Sequence, residues 1–279
     1  MTDKKLQGAG LRGQSAGETA LCTVGKTGSG LTYRGYDIKV LAEKAKFEEI
    51  AFLLIYGKLP NSTELENYKN KLCSLREIPE ALKQALELIP AESHPMDVMR
   101  TGCSVLGNLE TETDFSEQFE KADRIVALLP SIITYWYRFS HQGVRINTSS
   151  VSDSIAGHFL SCLHDEEPSA LHEKVINASL ILYAEHEFNA STFTARVCAS
   201  TLSDIHSCVT GAIGSLRGPL HGGANEAAME MISDWNTAEQ AEDELMKKLS
   251  NKEKIMGFGH AIYRESDPRN DIIKEWSRK

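Results

Sequence analysis

The sequence lacks the features that mark several large classes of protein. No stretch reaches the roughly 18 consecutive apolar residues of a membrane-spanning helix, and the opening MTDKKLQG contains no apolar signal core. The six cysteines are widely spaced and include no CxxC pair, which indicates reduced thiols and argues against a close-spaced cysteine metal site. These absences predict a cytoplasmic protein without a membrane segment.

Basic residues are also in deficit. The 279 residues include 30 Lys and Arg against 39 Asp and Glu, which gives a formal net charge of −9 at pH 7. Such a surface repels nucleic acids and anionic membranes overall, so we predict neither as a partner. Internal repeats and low-complexity linkers are missing as well, and a hydrophobic content of 41% is enough for a sizeable core.

Nine histidines raise the question of a metal site. Three of them, His186, His221 and His260, lie in glycine-rich or acidic segments. They do not show the H-E-x-x-H spacing that places two ligands on one face of a helix. We therefore predict no metal.

His221 lies in the segment GPLHGGA, between glycine-rich backbone and a predicted helix over residues 224–235. The N–H groups at a helix N-terminus disfavour an imidazolium, so the ring would stay neutral and donate a hydrogen bond to a developing oxyanion. Gly222 and Gly223 would leave room for a substrate. A lone histidine in a glycine-rich turn is more often structural, so this motif alone does not decide its role.

Two further segments contain a histidine beside glycine or acidic residues. MGFGHA at 256–261 contains His260 and is followed by the turn SDPR at 266–269. AEHEFNAST at 184–192 carries His186 between two glutamates. Together with GPLHGGA, these segments resemble the active-site segments of the citrate synthase family.

The resemblance covers nearly the whole chain, and segments 16–38 and 184–197 are most similar to the 2-methylcitrate synthases of that family. It implies an enzyme that condenses propionyl-CoA with oxaloacetate and water, releases CoA and has side activity on acetyl-CoA. The CoA thioester would be a substrate, no cofactor would be tightly bound, and the enzyme would be a homodimer. A citrate synthase is the first alternative, because one methyl group is worth only about 1–3 kcal/mol of discrimination in an apolar pocket.

The family's motifs imply a role for each matching residue. His221 would donate to the thioester carbonyl, His260 would polarise the keto oxygen of oxaloacetate, and Arg269 would hold one of its carboxylates. His186 would make a further oxaloacetate contact, and Asn189, whose register matches less closely, is a weaker candidate. The coenzyme A binding residues would be Ile255, Met256, Gly257, Phe258, Gly259 and Arg264.

The family's general base is an aspartate well downstream of the DPR motif, and no residue up to Lys279 corresponds to it. Asp267 belongs to the DPR turn and Asp271 to the helical stretch that follows, so neither takes that role. The resemblance therefore implies that these 279 residues are inactive by themselves. The second alternative is a catalytically incompetent binding or scaffold protein.

Apolar periodicity predicts an all-α fold with a short N-terminal β-hairpin formed by residues 19–24 and 31–36. The resemblance implies a large helical domain at residues 1–220 and the beginning of a small helical domain at residues 221–279. Glycine and proline accumulate at 214–223, where we place the boundary between the two.

Three helix predictions are specific enough to be checked residue by residue. Asp37 would cap one helix that continues to about residue 56. Ser62 or Thr63 would cap the next helix. Residues 196–213 would present one apolar packing face.

Overall fold

The computed structural model describes residues 16–25, 30–149, 152–258, 263 and 266–279. In these ranges the chain forms thirteen α-helices and one small sheet, which confirms the prediction of an all-α fold. Among the described helices, none is long and apolar enough to cross a membrane.

The N-terminal sheet contains three antiparallel strands: β1 (Cys22–Val24), β2 (Leu31–Tyr33) and β3 (Tyr36–Asp37). β1 pairs with β2 so that Cys22 lies opposite Tyr33, which confirms the predicted hairpin, and β3 extends it. The buried Tyr33 hydroxyl donates to the carbonyl of Ile181 at 2.9 Å. This bond joins the sheet to the C-terminal end of a later helix, α8 (Ala170–Tyr183).

The helix predicted from Asp37 to about residue 56 is wrong in its continuity, since two helices occupy this stretch: α1 (Ile38–Lys44) and α2 (Phe47–Tyr56). Asp37 caps the first of them, as predicted. Between them Ala45 adopts an extended conformation. Asn177 of α8 pairs with the interrupted backbone, because its Oδ1 accepts from the Phe47 N–H at 2.8 Å and its Nδ2 donates to the Ala45 carbonyl at 3.3 Å.

The other helices follow in chain order: α3 (Ser62–Ser74), α4 (Glu80–Glu87), α5 (Pro95–Leu109), α6 (Gln118–Gln142), α7 (Ile155–His164), α8 as given, α9 (Ala190–Ala199), α10 (Ile205–Leu216), α11 (Gly223–Ser233), α12 (Ala238–Ser250) and α13 (Pro268–Trp276). The cap of α3 is Asn61 and not Ser62 or Thr63. Its Oδ1 accepts from the Glu64 N–H at 2.9 Å, and the Glu64 carboxylate accepts from the Asn61 N–H at 2.9 Å. This reciprocal pair places the start of the helix one or two residues earlier than predicted.

The packing face predicted for residues 196–213 is likewise divided. α9 ends at Ala199 and α10 begins at Ile205. Between them Leu202 has a φ of 63° and is 75% exposed, so it does not join a packing face. Asp204 accepts from the Ser207 N–H at 2.9 Å and so caps α10. The apolar spacing was misleading here because the capping aspartate starts a new helix within it.

The core is centred on α6, which packs against α4, α5 and α7. Leu128, Ile132 and Trp136 of this helix are fully buried. α5 approaches α6 closely at Gly102, where a Cβ atom would lie 2.6 Å from Ile132 Cγ2. By contrast, α9, α11, α12 and α13, all of whose residues are described, contain no buried side chain.

Candidate active site

His221 lies in a tight loop between α10 and α11. Its N–H donates to the Gly218 carbonyl at 2.9 Å, and the Gly222 N–H donates to the Leu216 carbonyl at 3.0 Å. A Cβ atom on Gly222 would lie 2.7 Å from that Leu216 oxygen, and one on Gly223 would lie 3.1 Å from the Gly218 oxygen. The two glycines therefore make room for the chain's own backbone, and the room that they would leave for a substrate stays a prediction.

The His221 ring faces the first turn of α9. Its Nε2 accepts a hydrogen bond from the Ser191 N–H at 3.3 Å and lies 2.9 Å from the Ser191 Oγ. An N–H group can only donate, so the proton of a neutral His221 is on Nδ1. Burial lowers the pKa of His221, which favours this neutral form.

Asn189 is the N-cap of α9, which explains how Ser191 is presented to His221. The Asn189 Oδ1 accepts from the Thr192 N–H at 2.9 Å and from the Ser191 hydroxyl at 2.7 Å. The hydroxyl thus lies between two acceptors, Asn189 and His221. In this structure Asn189 serves as a helix cap, and its predicted contact with substrate stays a prediction.

His186 lies in the segment between α8, which ends at Tyr183, and α9, which begins at Ala190. Its Nε2 is 3.1 Å from the Tyr263 hydroxyl, and the two rings meet edge to face with their centroids 5.5 Å apart. The neighbouring Glu187 accepts from the Val24 N–H at 3.2 Å. The segment is therefore held between β1 and Tyr263.

Arg269 lies in the first turn of α13, next to the capping residue Asp267. Its Nε and Nη2 donate to the Asp267 carboxylate at 2.9 and 2.6 Å. Burial disfavours the guanidinium charge, but the paired carboxylate outweighs it and raises the pKa of Arg269. Burial and then the charge of Asp267 raise the pKa of Tyr263 to about 12. The Arg269 pair therefore acts electrostatically on the tyrosine that contacts His186.

The family model described as "Citrate synthase, C-terminal domain" matches residues 10–279. The chain belongs to the citrate synthase family. Membership confirms the resemblance on which the fold and the candidate site were predicted. Among the described residues of this family member, no group of three or more His, Cys, Asp or Glu is arranged to hold a metal ion.

Individual members of the family match most of the chain. A 2-methylcitrate synthase of Shewanella oneidensis is 72% identical over 276 residues, which cover 99% of this chain and 74% of that protein. Citrate synthase 2 of Bacillus subtilis is 45% identical over 253 residues, which cover 89% of this chain and 68% of that protein.

A solved citrate synthase structure shares the fold. It is the citrate synthase of Thermoplasma acidophilum in ternary complex with carboxymethyl coenzyme A and oxaloacetate. It superposes with a TM-score of 0.88 at 31% identity, over 95% of this chain and 71% of that one. The chain thus spans about 71% of the length of this family member.

Not every predicted site residue can be placed. His260, Gly259 and Arg264 lie outside the described residues. The other predicted coenzyme A residues, at 255–258, follow α12, where Gly257 has a φ of 84° and Phe258 is 70% exposed. No described contact joins them to His221 or His186, so their role stays a prediction.

Two residues of the site were missed in the sequence, Ser191 and Tyr263. Ser191 is two residues after a capping asparagine, and a side chain at that position of a first helical turn points back towards the preceding segment. That spacing was the available signal. Tyr263 lies three residues after His260, and its contact with a residue 77 positions away has no local signature.

Proposed function

We propose that the protein is a 2-methylcitrate synthase, which condenses propionyl-CoA with oxaloacetate and water to give 2-methylcitrate and CoA. The observation that carries this proposal is the 72% identity to the Shewanella oneidensis enzyme over 99% of the chain. Side activity on acetyl-CoA is part of it, and the reaction would serve propionate catabolism. Citrate synthase is the second candidate, favoured by the 45% identity to citrate synthase 2 of Bacillus subtilis.

His221 would stabilise the enolate. The α-proton of an acyl-CoA is weakly acidic, so its removal requires a hydrogen-bond donor at the thioester oxygen. With Nε2 accepting from Ser191, the neutral His221 ring carries its proton on Nδ1, the nitrogen that would donate to that oxygen. The lowered pKa supports this role, because a neutral imidazole keeps this proton in place and stabilises the enolate by donating a hydrogen bond.

Oxaloacetate would be held by three side chains. His260 would polarise its keto oxygen and stabilise the alkoxide that forms with the new carbon–carbon bond. Arg269 would bind a carboxylate, which must share the guanidinium with Asp267 or displace it. His186, oriented by Tyr263, would add a further contact, and Asn189 is a weaker candidate.

The remaining parts of the proposal rest on the family resemblance. Residues 255–259 and Arg264 would bind coenzyme A. Residues 1–220 would form the large domain and residues 221–279 the beginning of the small domain, in a cytoplasmic homodimer. The base that removes the α-proton is expected downstream of Arg269, and inactivity of the 279-residue chain by itself stays a prediction.

Thiol release measures the reaction directly. Propionyl-CoA and acetyl-CoA are each supplied with oxaloacetate to the 279-residue chain and to a version extended to its natural stop codon, with oxaloacetate omitted as the control. A higher kcat/KM for propionyl-CoA in the extended chain is the expected result. A preference for acetyl-CoA would support citrate synthase. Absence of thiol release from both chains would contradict both activities and favour the binding or scaffold alternative.

A further inference from the structure

Both ends of the His221 loop are tied to the same turn of a different helix. On the side before the loop, the Arg217 Nε lies 3.6 Å from the Asp97 carboxylate. On the side after it, the Glu226 carboxylate lies 2.9 Å from the His94 Nε2. His94 and Asp97 are the cap and the first turn of α5, a helix of the packed core.

The direction of the His94–Glu226 bond is fixed by the cap of α5. The His94 Nδ1 accepts from the Met96 N–H at 3.1 Å and therefore carries no proton itself. The ring proton of a neutral His94 is then on Nε2, where it donates to the two oxygens of Glu226 at 2.9 and 3.1 Å. One imidazole thus caps α5 and holds α11.

This bond matters for α11 because the helix is held by few other contacts. All eleven of its residues are described and none is buried. The described polar contacts of its first turn with other helices are the Glu226 bond and a hydrogen bond from the Asn225 Nδ2 to the Tyr183 hydroxyl at 3.3 Å. Glu226 is in that first turn, five residues after His221.

We propose that His94, acting through Glu226, is a positioning residue for the condensation. The pair fixes the N-terminus of α11 on the core, so that the His221 ring meets Ser191 in the orientation that leaves its Nδ1 proton for the substrate. This inference rests on the proposed function. Side-chain exposures of 21% for His94 and 48% for Glu226 mean that the pair contributes little to global stability. Its effect is expected on turnover, since small displacements of a reacting group lower the rate steeply.

The test uses the enzyme extended to its natural stop codon, four single variants and one double variant. Glu226→Leu removes the acceptor, while Glu226→Gln removes the charge and keeps an oxygen that accepts from His94. Comparing them separates the hydrogen bond from the interaction of the charge with the helix dipole. His94→Leu removes the donor, and Glu230→Leu, an exposed position one turn along α11, is the matched control.

We expect Glu226→Leu and His94→Leu each to lower kcat about tenfold with the KM for oxaloacetate unchanged. Glu226→Gln should restore most of the rate, and the Glu226→Leu/His94→Leu double variant should be no slower than either single variant. Amide hydrogen exchange over residues 217–226 should be faster in the Leu variants. Glu230→Leu should match the wild type in every measurement.

The two hypotheses fail in different ways. Wild-type kcat and exchange in Glu226→Leu, in an enzyme that does release thiol, would overturn the positioning role and leave the proposed function intact. An equal loss of kcat in Glu230→Leu would overturn the positioning role as well, since any substitution on α11 would then have the same effect. If the wild type releases no thiol, the proposed function fails. In that case, amide hydrogen exchange that is unchanged in Glu226→Leu would also overturn the inference that the His94–Glu226 bond attaches α11 to the core.

Discussion

The core helices and the site helices of this protein are held in place by different forces. α6 buries residues along most of its length, among them Leu128, Ile132 and Trp136. α9, α11 and α13, described along their whole lengths, bury none, yet they position Ser191, His221 and Arg269. Apolar burial is strong but has no direction, whereas a hydrogen bond sets the orientation of a ring or a guanidinium. The candidate site is therefore oriented by polar contacts at helix ends.

Because apolar burial holds the core and polar contacts orient the site, a site residue can be removed without loss of the fold. His221→Ala should lower turnover about a thousandfold, or roughly 4 kcal/mol, because the enolate loses its hydrogen-bond donor. The urea midpoint should stay within error of the wild type. His260→Ala is expected to behave in the same way. Thiol release and urea denaturation measure the two effects, with the exposed His164→Ala as control. Retained turnover in His221→Ala would refute the assignment.

The opposite result is expected in the core. Leu128→Ala should lower the free energy of unfolding by about 3 kcal/mol, because it removes fully buried methyl groups and leaves a cavity. Met246→Ala, at a 60% exposed position of α12, should change it by less than about 0.5 kcal/mol. Urea denaturation of both variants checks the difference. Equal losses of unfolding free energy would show that α12 is packed in solution and would contradict the difference in burial between α6 and α12.

Arg269 tests whether the shape of a charged group matters at the site. Arg269→Lys should raise the KM for oxaloacetate about thirtyfold, roughly 2 kcal/mol, because an ammonium group cannot donate through the planar two-donor fork. The exposed Arg278→Lys, beyond the end of α13, is the matched control. The KM for oxaloacetate, measured at saturating acyl-CoA, is the readout. If it is the same in Arg269→Lys and in the wild type, Arg269 does not bind this substrate.

The smallest effect is expected from a substitution of Ser191, because Ser191 contacts the His221 ring and its substitution leaves that ring in the site. Ser191→Ala keeps the backbone N–H that donates to Nε2 and removes only the hydroxyl. We expect kcat to fall about tenfold, or roughly 1.4 kcal/mol, as the ring loses part of its orientation. Ser200→Ala at the other end of α9 is the control, because that hydroxyl bonds within its own helix. Equal rates in the two variants would contradict an orienting role.

Local patterns in the sequence were sufficient for much of the fold. The hairpin of β1 and β2, the Asp37 cap and the helix that begins just after His221 all depend on neighbouring residues, and the structure confirms them. The break at Ala45 could not be found in this way, because the side chain that pairs with it, Asn177, is 132 positions away.

In the candidate site, too, local motifs were informative, whereas contacts between distant residues could not be predicted. The motif glycines marked the place of His221, but the partners of the rings came only from the tertiary structure. Ser191 is 30 residues from His221, and Tyr263 is 77 residues from His186. The resemblance supplied residue types and roles, whereas the orientation of each ring depends on contacts that no short motif encodes.

The closure of the His221 loop has a consequence for how the sequence can diverge. Gly222 lies so near the Leu216 carbonyl that any L-residue at 222 would have to open the loop before the chain could close on itself. Such a change would displace His221 from Ser191, although residue 222 takes no part in the hydrogen bonds between the two. A mutational scan should therefore find position 222 among the least tolerant in the chain, on grounds of backbone space and not of chemistry.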